Sequence, residues 1–160
     1  MIVEGEWRGR RAGGPLRPVV TAYLIGTAGV VIERSFLVDS GADRTAFCRE
    51  TLDQLAASVV PGSESAVAGV GGVAGTVLVQ ATLAFRKETG DLATVAGPFL
   101  AFLEASADDE DILGRDVTNN FVSITDYPDR RVLLLHGSHS YAITGPMSPE
   151  MSGSPGGPGG

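Results

Sequence analysis

Short runs rich in β-branched and aromatic residues, closed off at close intervals by glycine, proline or aspartate, recur along this chain and commit it to strands. PVVTAYLIG (18–26) and VVIERSFLVD (30–39) are separated by a turn between Gly26 and Gly29 and read as a hairpin. TVLVQATLAF (76–85) and LATVAGPFLAFL (92–103) flank Thr89-Gly90-Asp91, a good turn, and Gly97-Pro98 marks an edge or a bulge in the second run. FVSITDY (121–127) and RRVLLLHG (130–137) flank a tight turn at Pro128-Asp129. In CRETLDQLAAS (48–58), by contrast, Leu52, Leu55 and Ala56 fall on one helical face, and Pro61-Gly62 follows as a stop. A second short helix fits Asp116 to Asn120. The expectation is an all-β fold, a small closed β-barrel or sandwich with one or two short helices.

With 160 residues the chain is expected to hold one domain. Residues 145–160 contain six Gly and four Pro and read as a disordered tail, because they cannot bury enough apolar surface to offset ordering. Residues 1–14, with Arg8, Arg10, Arg11, Gly13 and Gly14, read as a flexible N-terminal arm, which leaves 15–144 as the folded domain. A formal net charge of −7 argues against nucleic acid or an anionic membrane as a partner. No apolar run approaches the ~18 residues of a membrane span, and the charged N-terminus lacks a signal-type apolar stretch. The expected location is therefore cytoplasmic. Cys48 is the single cysteine, so no internal disulfide can form. It reads as a small buried hydrophobe. With His136 and His139 it makes too small a set for a structural zinc site. The two histidines read as surface residues, and no metal or cofactor is expected.

Three segments carry candidate chemistry. In Phe36-Leu37-Val38-Asp39-Ser40-Gly41-Ala42 an apolar strand delivers a carboxylate into a Ser-Gly turn, either as a plain Asx turn or as a reactive acid. Ala68 to Gly75 (AGVGGVAG) is dense in glycine and reads as a hairpin tip, either simply flexible or open to a ligand's backbone. It is not a phosphate loop, since no Gly-Lys-Ser/Thr follows, nor a dinucleotide fingerprint, since a strand and not a helix comes next. Asp111-Ile112-Leu113-Gly114-Arg115-Asp116 leads into the second short helix. Alone it could be a strand-to-helix junction with a surface ion pair.

In this order and spacing the three segments resemble the retropepsin-like aspartic proteases, a family that includes retroviral, bacterial and ubiquitin-shuttle members. The resemblance covers roughly residues 15–137. Asp39-Ser40-Gly41-Ala42 is similar to the catalytic Asp-Thr/Ser-Gly-Ala motif, Gly69-Val70-Gly71-Gly72 to the flap tip, and Ile112-Leu113-Gly114-Arg115-Asp116 to the second motif. Arg17-Pro18-Val19-Val20-Thr21 is similar to the first strand of retroviral members.

The resemblance implies an endopeptidase acting on a peptide or protein substrate. Hydrolysis by carboxylates needs two of them, one ionised to activate water and one protonated to polarise the carbonyl. The sequence holds one Asp-Ser/Thr-Gly, so a second chain must supply the other, and a homodimer is expected. Asp39, Ser40 and Gly41 would form the catalytic loop, with Ser40 bonding across the twofold axis. Leu37, Ala46 and Ile112 would line apolar pockets. Ala42 would leave room for substrate backbone, Asp43 would contact it, and Arg44 would favour an acidic or polar side chain. Gly69, Val70, Gly71 and Gly72 would close over the peptide. Arg115 would pair with Asp43 in a buried contact, with Arg17 of the other chain joining them, and Gly114 and Asp116 would support the loop. The acidic run 104–111 (EASADDED) reads as a solvated loop, and the 121–137 hairpin suggests a dimer sheet unlike the retroviral one. A catalytically silent dimerisation or peptide-binding module is the alternative.

Overall fold

A computed structural model describes residues 2–69, 72–105 and 110–137. The proposed tail at 145–160 and His139 lie outside the described residues. The fold is all-β, as the strand pattern predicts. Ten strands form one sheet in the order β5-β6-β7-β4-β8-β3-β2-β1-β10-β9. They are β1 (Ile2–Gly9), β2 (Leu16–Gly26), β3 (Val31–Val38), β4 (Ala46–Phe47), β5 (Ser65–Gly69), β6 (Gly72–Arg86), β7 (Leu92–Phe102), β8 (Asp111–Leu113), β9 (Phe121–Asp126) and β10 (Arg131–His136). An added pairing of β6 with β2 closes β2, β3, β8, β4, β7 and β6 into a ring. β5 extends from one side of the ring, and β1, β10 and β9 from the other.

The ring encloses the apolar faces of its strands. Leu24, Phe36, Phe47, Val79, Leu83, Phe85, Ala101 and Leu113 are fully buried. Phe47 stands between Phe36 and Phe99, with ring centroids 6.2 and 5.6 Å away. The helical segment becomes α1 (Arg49–Gln54) followed by a 3-10 turn over Ala56–Ser58, and Leu52 and Leu55 face the core as the spacing requires. The second short helix is α2 (Arg115–Thr118). Pro98 sits opposite Gln80 of β6, while the β4 partner of β7 is confined to Leu100 and Ala101. It therefore occupies a stretch of β7 paired on one side only, where a missing N–H is tolerated.

The flexible arm expected over 1–14 is corrected by β1. Its first half pairs with β10 (Ile2↔Leu135 to Gly5↔Val132) and its second half with β2 (Glu6↔Val19 to Gly9↔Leu16). The change of partner falls at Gly5, where an added Cβ would stand 2.3 Å from the Val19 carbonyl oxygen, so only glycine lets the strands come this close. Val3 is buried in the core. Trp7 donates through Nε1 to the carbonyls of Asp126 (3.0 Å) and Arg131 (3.1 Å) and meets Tyr127 edge-on at 4.9 Å. The arginines and glycines that suggest mobility lie mainly beyond the strand, in the 10–15 turn.

Candidate active site

Asp39 follows directly from β3, whose last residues pair in parallel with β8: Leu37 with Ile112 and Val38 with Leu113. The ladder continues one step, since the Asp39 amide donates to the Leu113 carbonyl at 3.1 Å. The chain then turns sharply. The Gly41 amide donates to Asp39 Oδ1 (2.8 Å), and the Ala42 amide to the Asp39 carbonyl (3.2 Å). This is an Asx turn. It orients the carboxylate, which is half-buried, by one oxygen. Among the described residues the other oxygen, Oδ2, has no hydrogen-bond partner.

The loop is locked to the second motif. The amides of Arg115 and Asp116 donate to the carbonyls of Ala42 (2.9 Å) and Asp43 (3.2 Å). Thr45 donates its amide and its hydroxyl to Asp116 Oδ1, both at 2.8 Å, and its hydroxyl accepts the Gly114 amide at 3.0 Å. Gly114 packs against main chain, where an added Cβ would lie 2.4 Å from the carbonyl carbon of Arg44. Backbone cannot yield as a side-chain tip can, so this position admits only glycine.

Asp43 and Arg115 form the ion pair that the resemblance implies. The expectation that it is buried is corrected: the two side chains are 76% and 53% exposed in the single chain. Asp43 sits in the bend after the Asp39 turn and Arg115 opens α2, and water reaches both. Within its own chain Arg17 has a different partner. Its Nη2 binds Glu110 at 2.6 Å, and because Val19 faces Leu37 the start of β2 runs beside the end of β3. Arg44 donates to the Pro98 carbonyl at 3.3 Å. Leu37 and Ile112 are half-buried neighbours. Ala46, which pairs with Ile112 across β4 and β8, is only 4% exposed and belongs to the core, which leaves it little surface for a pocket.

The glycine-rich segment is a hairpin of β5 and β6 paired from Ser65↔Thr76 to Gly69↔Gly72. Gly72 has φ +114°, in the region that favours glycine. Val70 and Gly71 lie outside the described residues. The arms carry small or apolar exposed residues, among them Ala66, Ala68 and Val73, the last 74% exposed.

Sequence reading missed a polar cluster beneath the site. Asp111, 1% exposed, accepts the Cys48 amide (2.8 Å), the Thr51 hydroxyl (2.8 Å) and Arg34 Nε (2.9 Å). Arg34 also reaches Glu50 at 3.0 Å and Cys48 Sγ at 3.5 Å. Burial acts to lower the pKa of Arg34, but the hydrogen bonds to Glu50 and Asp111 and the charge of Asp111 outweigh it and push it up. The end of the acidic run is therefore no solvated loop: Asp111 is buried and Glu110 half-buried against Arg17. The available signal is Arg34, which strand alternation places on the same face as Phe36, where a charge asks for a partner. Cys48 is buried as expected. The surface placement expected for His136 is corrected in part, since the residue is half-buried against Phe121 and its Nδ1 lacks a partner among the described residues.

Among the described residues no group of three or more His, Cys, Asp or Glu could hold a metal ion, and no helix is long and apolar enough to cross a membrane. No family model and no curated protein sequence matches the chain. Among solved structures it is similar to a retropepsin-like aspartic protease from Rickettsia conorii, with 15% identity over 84% of this chain and 88% of that one and a TM-score of 0.48. It is also similar to the EIAV protease complexed with the inhibitor HBY-793, with 19% identity over 64% of this chain and 86% of that one and a TM-score of 0.40.

Proposed function

We propose that this chain is an aspartic endopeptidase active as a homodimer. The observation that carries the reading is Asp39 itself: a half-buried carboxylate at a strand end, held through one oxygen by Gly41 and set in a loop braced by Arg115 and Asp116. A plain Asx turn does not call for a second motif locked onto it.

Two copies would bring two Asp39 side chains together across a twofold axis. Repulsion between neighbouring carboxylates lets them share one proton. The ionised member takes a proton from a water molecule, whose oxygen attacks the peptide carbonyl. The protonated member donates to the carbonyl oxygen, the member that took the water proton passes it to the nitrogen, and the C–N bond breaks as a hydroxyl of the tetrahedral intermediate returns its proton to the other member. Ser40 would tie the two loops together. Ala42 and Asp43 would meet the substrate main chain, and Gly69 to Gly72 would cover it by strand-like pairing. Leu37 and Ile112 would contact apolar side chains, and Arg44 an acidic one.

A peptide library between about pH 4 and 7 tests this. Cleavage by the wild type that is lost in Asp39→Asn supports it. Equal cleavage by both proteins, or none by a stable dimer, rejects it.

A further inference from the structure

One ion pair lies across the face of the sheet that carries Asp39. Strand alternation puts Ser35, Leu37 and Asp39 on the same side of β3. Val19 pairs with Leu37, so Arg17, two residues earlier on the antiparallel β2, comes level with Asp39 on that side. Ile112 pairs with Leu37 from β8, and Glu110, two residues before Ile112, shares its side. β3 lies between β2 and β8 in the sheet. The bond from Arg17 Nη2 to Glu110 Oε2, 2.6 Å long, therefore reaches across β3 on the side of Leu37 and Asp39. Neighbouring contacts agree with this placement: the Ser35 hydroxyl accepts Arg8 Nη1 at 3.0 Å and lies 3.4 Å from the Thr21 hydroxyl.

The pair is only half-buried, with 28% of the Arg17 side chain and 23% of the Glu110 side chain exposed. Oε1, the second carboxylate oxygen of Glu110, is shielded from water and has no hydrogen-bond partner among the described residues. A buried acceptor left unpaired is costly, and one beside a candidate site is a group that a ligand can satisfy. Leu37 and Ile112 stand next to it, half-buried and apolar. A peptide laid over Asp39 covers this face and removes the water that still reaches the pair. An apolar side chain placed there would leave Oε1 unpaired in drier surroundings. A long cationic side chain suits both halves of the floor: its methylene stem packs on Leu37 and Ile112, and its head donates to Oε1. Glu110 would then hold Arg17 with one oxygen and the substrate with the other.

We propose that Glu110 determines specificity in the cleft by binding the side chain of a lysine or arginine in the substrate. The inference rests on the reading of Asp39 as the centre of a peptidase. The acidic side chain assigned to Arg44 is a separate contact, since Arg44 is held at the Pro98 carbonyl of β7. The test is a short-peptide library on the full chain, in which each position in turn is lysine, norleucine or glutamate. Cleavage is read by mass spectrometry, and binding by the anisotropy of fluorescein-labelled copies. At one position the wild type should prefer lysine over norleucine by about tenfold or more. Glu110→Gln should bring that ratio near one, and Glu110→Arg should turn the preference toward glutamate. Glu104→Gln removes an exposed charge from the same acidic run and should leave the ratio as it is. A wild type that treats lysine and norleucine alike at every position, or a ratio that survives Glu110→Gln, would overturn the proposal. So would an equal fall of the ratio in Glu104→Gln, which would make the preference a matter of overall charge. If Glu110→Gln does not fold, the wild-type ratio beside that of Glu104→Gln decides. Cleavage without a lysine preference removes the selection and leaves the peptidase. Lysine-selective binding that Glu110→Gln abolishes, with no peptide cleaved, removes the peptidase reading and leaves Glu110 as a cation-binding residue.

Discussion

The carboxylate of Asp116 accepts both the amide and the hydroxyl of Thr45, each at 2.8 Å across 71 residues of chain. The same hydroxyl accepts the Gly114 amide at 3.0 Å, so one side chain joins the start of β4 to the junction that braces Asp39. Thr45 is fully buried. Thr45→Val keeps the shape and removes the hydroxyl, leaving the Gly114 amide unpaired. It should destabilise the fold by about 1–3 kcal/mol in urea titration, and Thr45→Ser should restore most of the loss.

Asp111 should be costlier to remove. Asp111→Ala leaves the guanidinium of Arg34, the Cys48 amide and the Thr51 hydroxyl without their common acceptor. A loss of about 3–5 kcal/mol is expected in chemical denaturation. Replacing Arg34 and Asp111 together by Met and Leu should recover part of it, because no lone charge then stays behind. A double variant weaker than the sum of its parts would contradict this account of the cluster.

The boundaries of what the sequence discloses follow from the range of the forces involved. Strand alternation and turn residues act locally, so β2, β3, β6, β7, β9 and β10 were legible, as was α1. The Asp39 and Gly114-Arg115 motifs were legible because each is contiguous. β1 was misread because Gly5, Gly9 and the arginines after it mask a short pattern in which Val3 and Trp7 find partners in β10 and in the turn after β9, more than a hundred residues away. The Arg34–Asp111 contact spans 77 residues, and no local spacing announces it. The pairing of Asp43 with Arg115 was legible through the motifs, but its exposure was not, since exposure depends on how the Asp43 bend and the start of α2 emerge from the sheet.

That exposure separates stability from activity. Removing an open ion pair costs little, so Asp43→Ala should change unfolding free energy by less than about 1 kcal/mol. If Asp43 meets substrate main chain, the same variant should lose cleavage through a raised KM, while circular dichroism stays unchanged. Equal losses of stability and activity would make the residue a scaffold element only.

The end of β1 should loosen in acid. Burial is the largest single influence on Glu88 and would raise its pKa, but the hydrogen bonds from the Ile2 amide and its own amide, together with nearby positive charge including Lys87, outweigh it and hold the carboxyl below its ordinary value of 4.5. A carboxyl whose pKa is depressed by folding adds stability above its unfolded pKa and loses it as pH falls through the folded one. Amide exchange of residues 2–5, compared at neutral pH and below the ordinary carboxyl range after correction for intrinsic rates, should show weaker protection in acid. Glu88→Gln should flatten that difference, and an unchanged profile would show that the contact contributes nothing.

The central claim is that the active unit contains two Asp39 side chains from two chains. Its most direct test is to titrate a fixed amount of wild type with excess Asp39→Asn chain while following cleavage of one peptide. Activity should rise more steeply than linearly with wild-type concentration alone, and should fall toward zero as inactive chains capture active ones in mixed dimers. Activity proportional to wild-type concentration and indifferent to the added Asn variant would contradict it.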